Sequence, residues 1–131
     1  MKTILVVDND LGFVFWLGQI LDLAGYEAYP AKSAHDATLF MAQFRPLVNL
    51  LIINSALDGA ADFVAGLRQA QPEAKIMAIS GAGESEPYEL PGTDAVYEKM
   101  DWVDQSAKNM WVERVERTLL GHKIEKMCGN P

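Results

Sequence analysis

Four short and mostly apolar runs in this chain end on residues able to do polar chemistry. Ile4-Leu5-Val6-Val7 leads into Asp8-Asn9-Asp10, and Leu50-Leu51-Ile52-Ile53 into Asn54. Ile76-Met77-Ala78-Ile79 leads into Ser80, and Ala95-Val96-Tyr97-Glu98 into Lys99. The set offers carboxylates, a carboxamide, a hydroxyl and an amine. A carboxylate is a nucleophile that can accept a phosphoryl group as a mixed anhydride. A carboxamide is neutral and far weaker in that role. A pocket built around Asn54 therefore has the parts of a phosphorylation switch without its reacting group.

These residues meet only if the fold brings the run ends together. Thr3–Val7 is continuous, apolar and β-branched, the pattern of a strand buried on both faces of a parallel sheet. Helical spacing follows over Leu11–Ala24, with Gly25 as a stop. Tyr26–Tyr29 reads as a short strand. Ser33 is placed to cap a helix over Ala34–Gln43 that Pro46 ends. Val48–Ile53 is a third strand, Asp58-Gly59 a turn, and Asp62–Ala70 a helix stopped before Pro72. Lys75–Ser80 and Ala95–Glu98 are further strands. Between them Glu84–Glu89 has room for only a short helix, limited by Pro87. A last helix is expected from near Asp101 or Asp104 to about Lys126, burying Val112, Val115, Leu119 and Leu120. Alternating strands and helices at this spacing predict an α/β fold. The sheet has five parallel strands, doubly wound in the flavodoxin-like order. Its ligand site lies at the carboxyl ends of the first and third strands, where Asp8 and Asn54 stand.

Bulk properties narrow the function. The chain has 131 residues, half of them apolar, enough for one domain with one core. A net charge of −7 opposes phosphate-driven nucleic-acid binding, and no basic cluster offsets it. Arg114, Arg117, Lys123 and Lys126 alternate with Glu113, Glu116 and Glu125, a solvated helix face. The lone Cys128 excludes an internal disulfide, and a reducing, cytoplasmic location is expected. The opening apolar run is too short for a signal peptide, and nothing approaches a membrane span. His35 and His122 lack metal-ligand companions. Tyr97, Trp102 and Trp111 read as packing residues. Gly81-Ala82-Gly83 lacks the lysine and spacing of a phosphate loop.

From Lys2 to about Leu120 the chain resembles the receiver domains of two-component response regulators, the CheY-like family. Val6-Val7-Asp8-Asn9-Asp10 looks like its paired-acid motif, and Gly25-Tyr26-Glu27 follows at the usual spacing. Asn49–Asn54 looks like the phosphoacceptor strand, Ser80 like the switch hydroxyl, and Gly92-Thr93-Asp94-Ala95 through Lys99 like the segment ending in the family's lysine. The resemblance implies that Asn54 replaces the acceptor aspartate and Asn9 a metal-binding aspartate. The loop Ser55-Ala56-Leu57 is shorter than the family's, Val96 replaces an aromatic switch residue, Met100 replaces a proline, and the fourth helix is shortened.

A working receiver gathers carboxylates around Mg2+, a hard cation that favours anionic oxygen ligands. Here Asp8 remains, Asp10 is one position away, and the amides of Asn9 and Asn54 bring no charge. The metal set Asp8, Asn9 and Asn54 is thus degenerate, with at most weak Mg2+ binding expected and no other cofactor. The pocket is expected to be held by an Asp8–Lys99 pair, with Asn54 bonded to a neighbour. The reading is a pseudo-receiver of a phosphorelay pathway over 1–126, followed by a tail, 127–131. It acts through protein contacts and without turnover. The alternative is a phosphate-responsive receiver with a substitute acceptor such as Asp58 or Ser55. Expected partners are a histidine kinase, a phosphotransfer protein or a second copy, with no nucleic acid and no membrane. With Leu17 at the core centre and about 100° per residue, Phe13, Ile20, Leu21 and Ala24 face inward. Leu11 and Phe15 fall outward beside Gly18, marking a partner surface.

Overall fold

The computed structural model describes residues 1–81, 90–99 and 105–121, with Gln105 described through its backbone alone. Strands β1 (Thr3–Val7), β2 (Glu27–Ala31), β3 (Leu50–Asn54), β4 (Lys75–Ser80) and β5 (Ala95–Glu98) form one parallel sheet in the order β2-β1-β3-β4-β5. The helices are α1 (Leu11–Leu23), α2 (Ala34–Phe44), α3 (Ala60–Ala70) and α4 (Gln105–Leu120). This is the doubly wound, flavodoxin-like arrangement expected from the apolar runs. The proposed short helix at Glu84–Glu89 lies outside the described residues, as do Met100, Trp102, His122 and Cys128.

The continuous apolar runs follow from burial on both faces of the sheet. Leu5, Val7, Leu51, Ile53, Ile76 and Ala78 point toward α2 and α3, packing with Val64 and Leu67. Their neighbours Ile4, Val6, Leu50, Ile52, Met77 and Ile79 point the other way, toward Phe13, Leu17, Leu21, Trp111 and Val115 of α1 and α4. Side chains alternate across a strand, so a polar residue at any of these positions would enter a core. Each buried aliphatic side chain contributes about 1.5–3 kcal/mol.

Local chemistry sets the element ends. Asp10 caps α1 by accepting from the Phe13 amide at 3.2 Å, and Ser33 caps α2 by accepting from the Asp36 amide at 3.0 Å. Gly25 after α1 and Gly121 after α4 adopt positive φ, which glycine takes without a Cβ clash. Gly121 therefore ends the last helix at Leu120, short of the Lys126 end expected from the sequence. The buried stripe of α4 also shifts: Ala107, Trp111, Val115 and Thr118 are enclosed, whereas Leu120 is exposed and Val112 and Leu119 are only partly covered. In α1, Ala24 is exposed and Val14 is buried. The helix stops before Ala24, and Val14, about 60° from Leu17 at 100° per residue, falls within the same inward stripe as Ile20.

Candidate functional site

The parallel sheet delivers β1, β3, β4 and β5 to one end of the molecule, and the polar run-ends meet there. Asp8 leaves β1 with its amide donating to the Ala31 carbonyl at 3.0 Å, and its side chain is fully buried. Its Oδ1 accepts from the Asp10 amide at 3.0 Å and, at a long 3.4 Å, from Asn54 Nδ2. Its Oδ2 accepts from Lys99 Nζ at 2.9 Å. Both carboxylate oxygens are engaged, which makes burial of the charge tolerable.

Asn54 closes β3 and bonds in two directions. Its Nδ2 turns to Asp8, and its Oδ1 accepts from the Ala56 amide at 2.9 Å, shaping the turn after the strand. The Asp8–Lys99 pair anticipated from the sequence is formed, and Asn54 donates to the acid of that pair. Ser80 is buried at the end of β4, and its carbonyl accepts from the Lys99 amide at 2.9 Å. That bond fixes where the lysine side chain starts. Lys99 Nζ also lies 3.6 Å from Asp10 Oδ2. Asp10 thus does two things, capping α1 with one oxygen and facing the ammonium with the other, while its side chain stays 46% exposed. Asn9 is exposed on the rim.

Phe13 completes the floor, and reading by residue type missed it. Lys99 Nζ sits 4.7 Å from its ring centre, in cation–π range. Phe13 in turn meets Trp111 edge-on at 5.4 Å between centres. Arg114 stacks over both Tyr97 and Trp111, at 4.4 and 5.0 Å. Burial lowers the Arg114 pKa, opposed by the Tyr97 phenol, which raises it. The helical phase of α1 marked Phe13 as buried, but no sequence signal said what it would lie beneath.

The oxygens that a metal ion would need are engaged by the protein itself. Asp8 spends both oxygens on protein partners, and the Asn54 oxygen is bonded to Ala56. Among the described residues no group of three or more His, Cys, Asp or Glu is placed to hold a metal ion. Lys99 supplies the neutralising charge from within the protein. Neither of the substitute acceptors joins this arrangement. Ser55 is buried with its hydroxyl donating to the Ile79 carbonyl at 3.3 Å. Asp58 is exposed and lines a groove between α2 and α3. His35 is exposed on α2, consistent with a surface role. Leu11 and Phe15 are exposed, Phe15 at 60%, as the helical phase required.

No protein-family model matches the chain, and no curated protein matches it. Solved structures do resemble it. A CheY-like response regulator receiver domain protein from Methanospirillum hungatei superposes with a TM-score of 0.74 at 22% identity, covering 91% of this chain and 94% of that one. NtrX from Brucella abortus, in complex with ADP, gives a TM-score of 0.73 at 23% identity, covering 99% of this chain and 29% of that chain. A response regulator from Burkholderia pseudomallei with a phosphorylated aspartic acid, calcium ion and citrate gives 0.63 at 19% identity, covering 87% and 73%. Among the described residues no helix is long and apolar enough to cross a membrane. Strand order, helix placement and the run-ends gathered at one end of the sheet are those of the CheY-like response-regulator receiver fold, and this chain has that fold.

Proposed function

We propose that the chain is a pseudo-receiver, a signalling domain of a two-component or phosphorelay pathway that is not phosphorylated at Asn54. The observation that carries this reading is the bonding of Asn54 itself. A carboxamide stands at the acceptor position, its nitrogen turned to Asp8 and its oxygen to Ala56. The Burkholderia pseudomallei relative carries its phosphoryl group on an aspartic acid, a side chain this position lacks. Asp8, Asn9, Asp10, Ser80 and Lys99 then act as a fixed scaffold around a central ion pair. Output comes from protein contact without turnover, in the cytoplasm and without nucleic acid or membrane, and the domain occupies 1–126.

The contact surface is the outer side of α1. Leu11 and Phe15 are exposed there, and Phe15 borders a cleft of about 300 Å3 against β2, shared with Gly18 and Tyr29. Gly18 leaves that cleft open, since a Cβ at this position would meet nothing within 4 Å. A histidine kinase, a phosphotransfer protein or a second copy is the partner class.

Incubation with acetyl phosphate and Mg2+ tests the chemical part. The intact mass should show no phosphoryl adduct and no hydroxylamine-labile group. Stoichiometric labelling would overturn the reading. Labelling that survives Asn54→Ala but is lost on Asp58→Asn or Ser55→Ala would establish the substitute acceptor.

A further inference from the structure

A groove lies between α2 and α3, lined by none of the residues of the central pair. Its volume is about 610 Å3, inside the range of roughly 300–1,000 Å3 typical of small-molecule sites. Met41, Phe63 and Leu67 line it with apolar surface. Small residues keep it open: Gly66 lies in the lining, and a Cβ there would meet nothing within 4 Å.

The lining is polarised along its length. Both helices follow parallel strands, so both begin at the carboxyl end of the sheet and run away from it. The ionisable lining residues His35, Asp58 and Asp62 belong to that starting end, and Thr38 lies one turn further along α2. The far end is Met41, Leu67 and Ala70. The helix N-termini contribute about half a positive charge each at the polar end. Two full carboxylates outweigh them, and the chain as a whole carries −7. An occupant that met the whole lining would set a cation beside Asp58 and Asp62 and an apolar body against Phe63 and Leu67.

We propose that this groove binds a small organic amine, a cationic head on an aromatic or alkyl body. Its head lies a short loop away from Asn54, since Asp58 is reached from β3 through Ser55, Ala56 and Leu57. The proposal stands whether or not Asn54 can be phosphorylated, because none of its residues belongs to the central pair.

The test is a backbone amide NMR titration of the full chain with tryptamine, using indole-3-propionate as a charge-reversed control. Tryptamine should give saturable shifts centred on Thr38, Gly66 and Leu67. Indole-3-propionate should bind about tenfold or more weakly, a difference of ~1.4 kcal/mol. The double variant Asp58→Asn, Asp62→Asn should weaken tryptamine by about the same tenfold factor. Gly66→Leu should abolish the shifts by filling the groove, and because leucine is a better helix former than glycine the variant should fold. Absence of saturable shifts overturns the proposal, as does equal binding of the acid or binding that persists in Gly66→Leu. If tryptamine fails while a basic amphipathic helical peptide gives these shifts, the occupant is a partner's helix and the proposal is wrong.

Discussion

Two ion pairs with nearly the same geometry sit at opposite ends of the sheet. At the carboxyl end, Lys99 Nζ lies 2.9 Å from Asp8 Oδ2; at the amino end, Arg68 Nη2 lies 3.0 Å from Asp94 Oδ2. Their surroundings differ. The side chains of the first pair are 9% and 0% exposed, and those of the second 32% and 18%. Arg68 also donates to the carbonyls of Ala74 and Gly92, and Asp94 Oδ2 accepts from the Ile76 amide at 2.8 Å. The Arg68 cluster ties backbone to backbone where α3, β4 and β5 meet, and water screens it. The Asp8 pair ties side chain to side chain where water is excluded. Equal distance therefore does not mean equal energy, because the penalty for breaking a pair depends on whether solvent can take up the stranded charge.

Lys99→Met should give the largest effect. It strands the buried Asp8 carboxylate and should cost about 3–5 kcal/mol of unfolding free energy in a chemical denaturation experiment. A change near zero would mean that water reaches Asp8 and that the contrast between the two ends is false. Arg68→Met should cost less, about 1–2 kcal/mol, since its hydrogen bonds to carbonyls are lost but Asp94 can rehydrate. Added salt should weaken the wild-type contribution of Arg68 and leave that of Lys99 nearly unchanged. Equal salt sensitivity in the two variants would remove the distinction.

Asn54→Asp sharpens the comparison by adding charge at the buried end alone. A second carboxylate next to Asp8 must share one lysine with it, so its proton should be held more tightly than in a free aspartate. A folded-state pKa raised in this way adds stability below the unfolded value and loses it as pH rises through the folded value. The variant should therefore fall below wild type as pH increases, by about 1 kcal/mol near neutrality. It should gain little phosphoryl labelling with Mg2+, because Asn9 brings no metal-binding charge and Asp8 stays bonded to Lys99. Efficient labelling would show that the ion pair yields readily to metal.

The smallest expected effect on stability is at the outer face of α1. Phe15→Glu should change unfolding free energy by no more than about 0.5 kcal/mol, as for an exposed position free of special contacts. It should nevertheless reduce self-association in sedimentation, or capture of a histidine kinase or phosphotransfer protein. Loss of fold would show that Phe15 is packed within the monomer. Unchanged association would place the contact surface elsewhere.

Much of this was legible in the residues. The strand positions were readable because a strand buried on both faces leaves an unbroken apolar run, as in Leu50-Leu51-Ile52-Ile53. Parallel strands must all point one way, so the residues closing β1, β3, β4 and β5 had to share an end. That topological fact places Asp8, Asn54, Ser80 and Lys99 at one end of the sheet. Element ends were less legible. Gly121 stops α4 at Leu120 because its backbone takes a positive φ, whereas the alternating charges beyond it read as continuing helix.

The sequence by itself determined the strands, their parallel direction and the chemical kinds of side chain at the carboxyl end of the sheet, because those follow from periodicity and from the alternation of strands with helices. Beyond the Asp8–Lys99 pair, tertiary structure decided how the charges are shared. Whether Asp10 would cap α1 or face the lysine depended on a distance between elements, and it does both. Phe13 beneath Lys99, Trp111 against Phe13 and Arg68 across to Asp94 join residues far apart in the chain. The α2–α3 groove likewise exists only as space between two helices. Periodicity reports which face of an element is buried, but pairing energies depend on what lies opposite and on whether water can enter, and those are properties of the packed molecule.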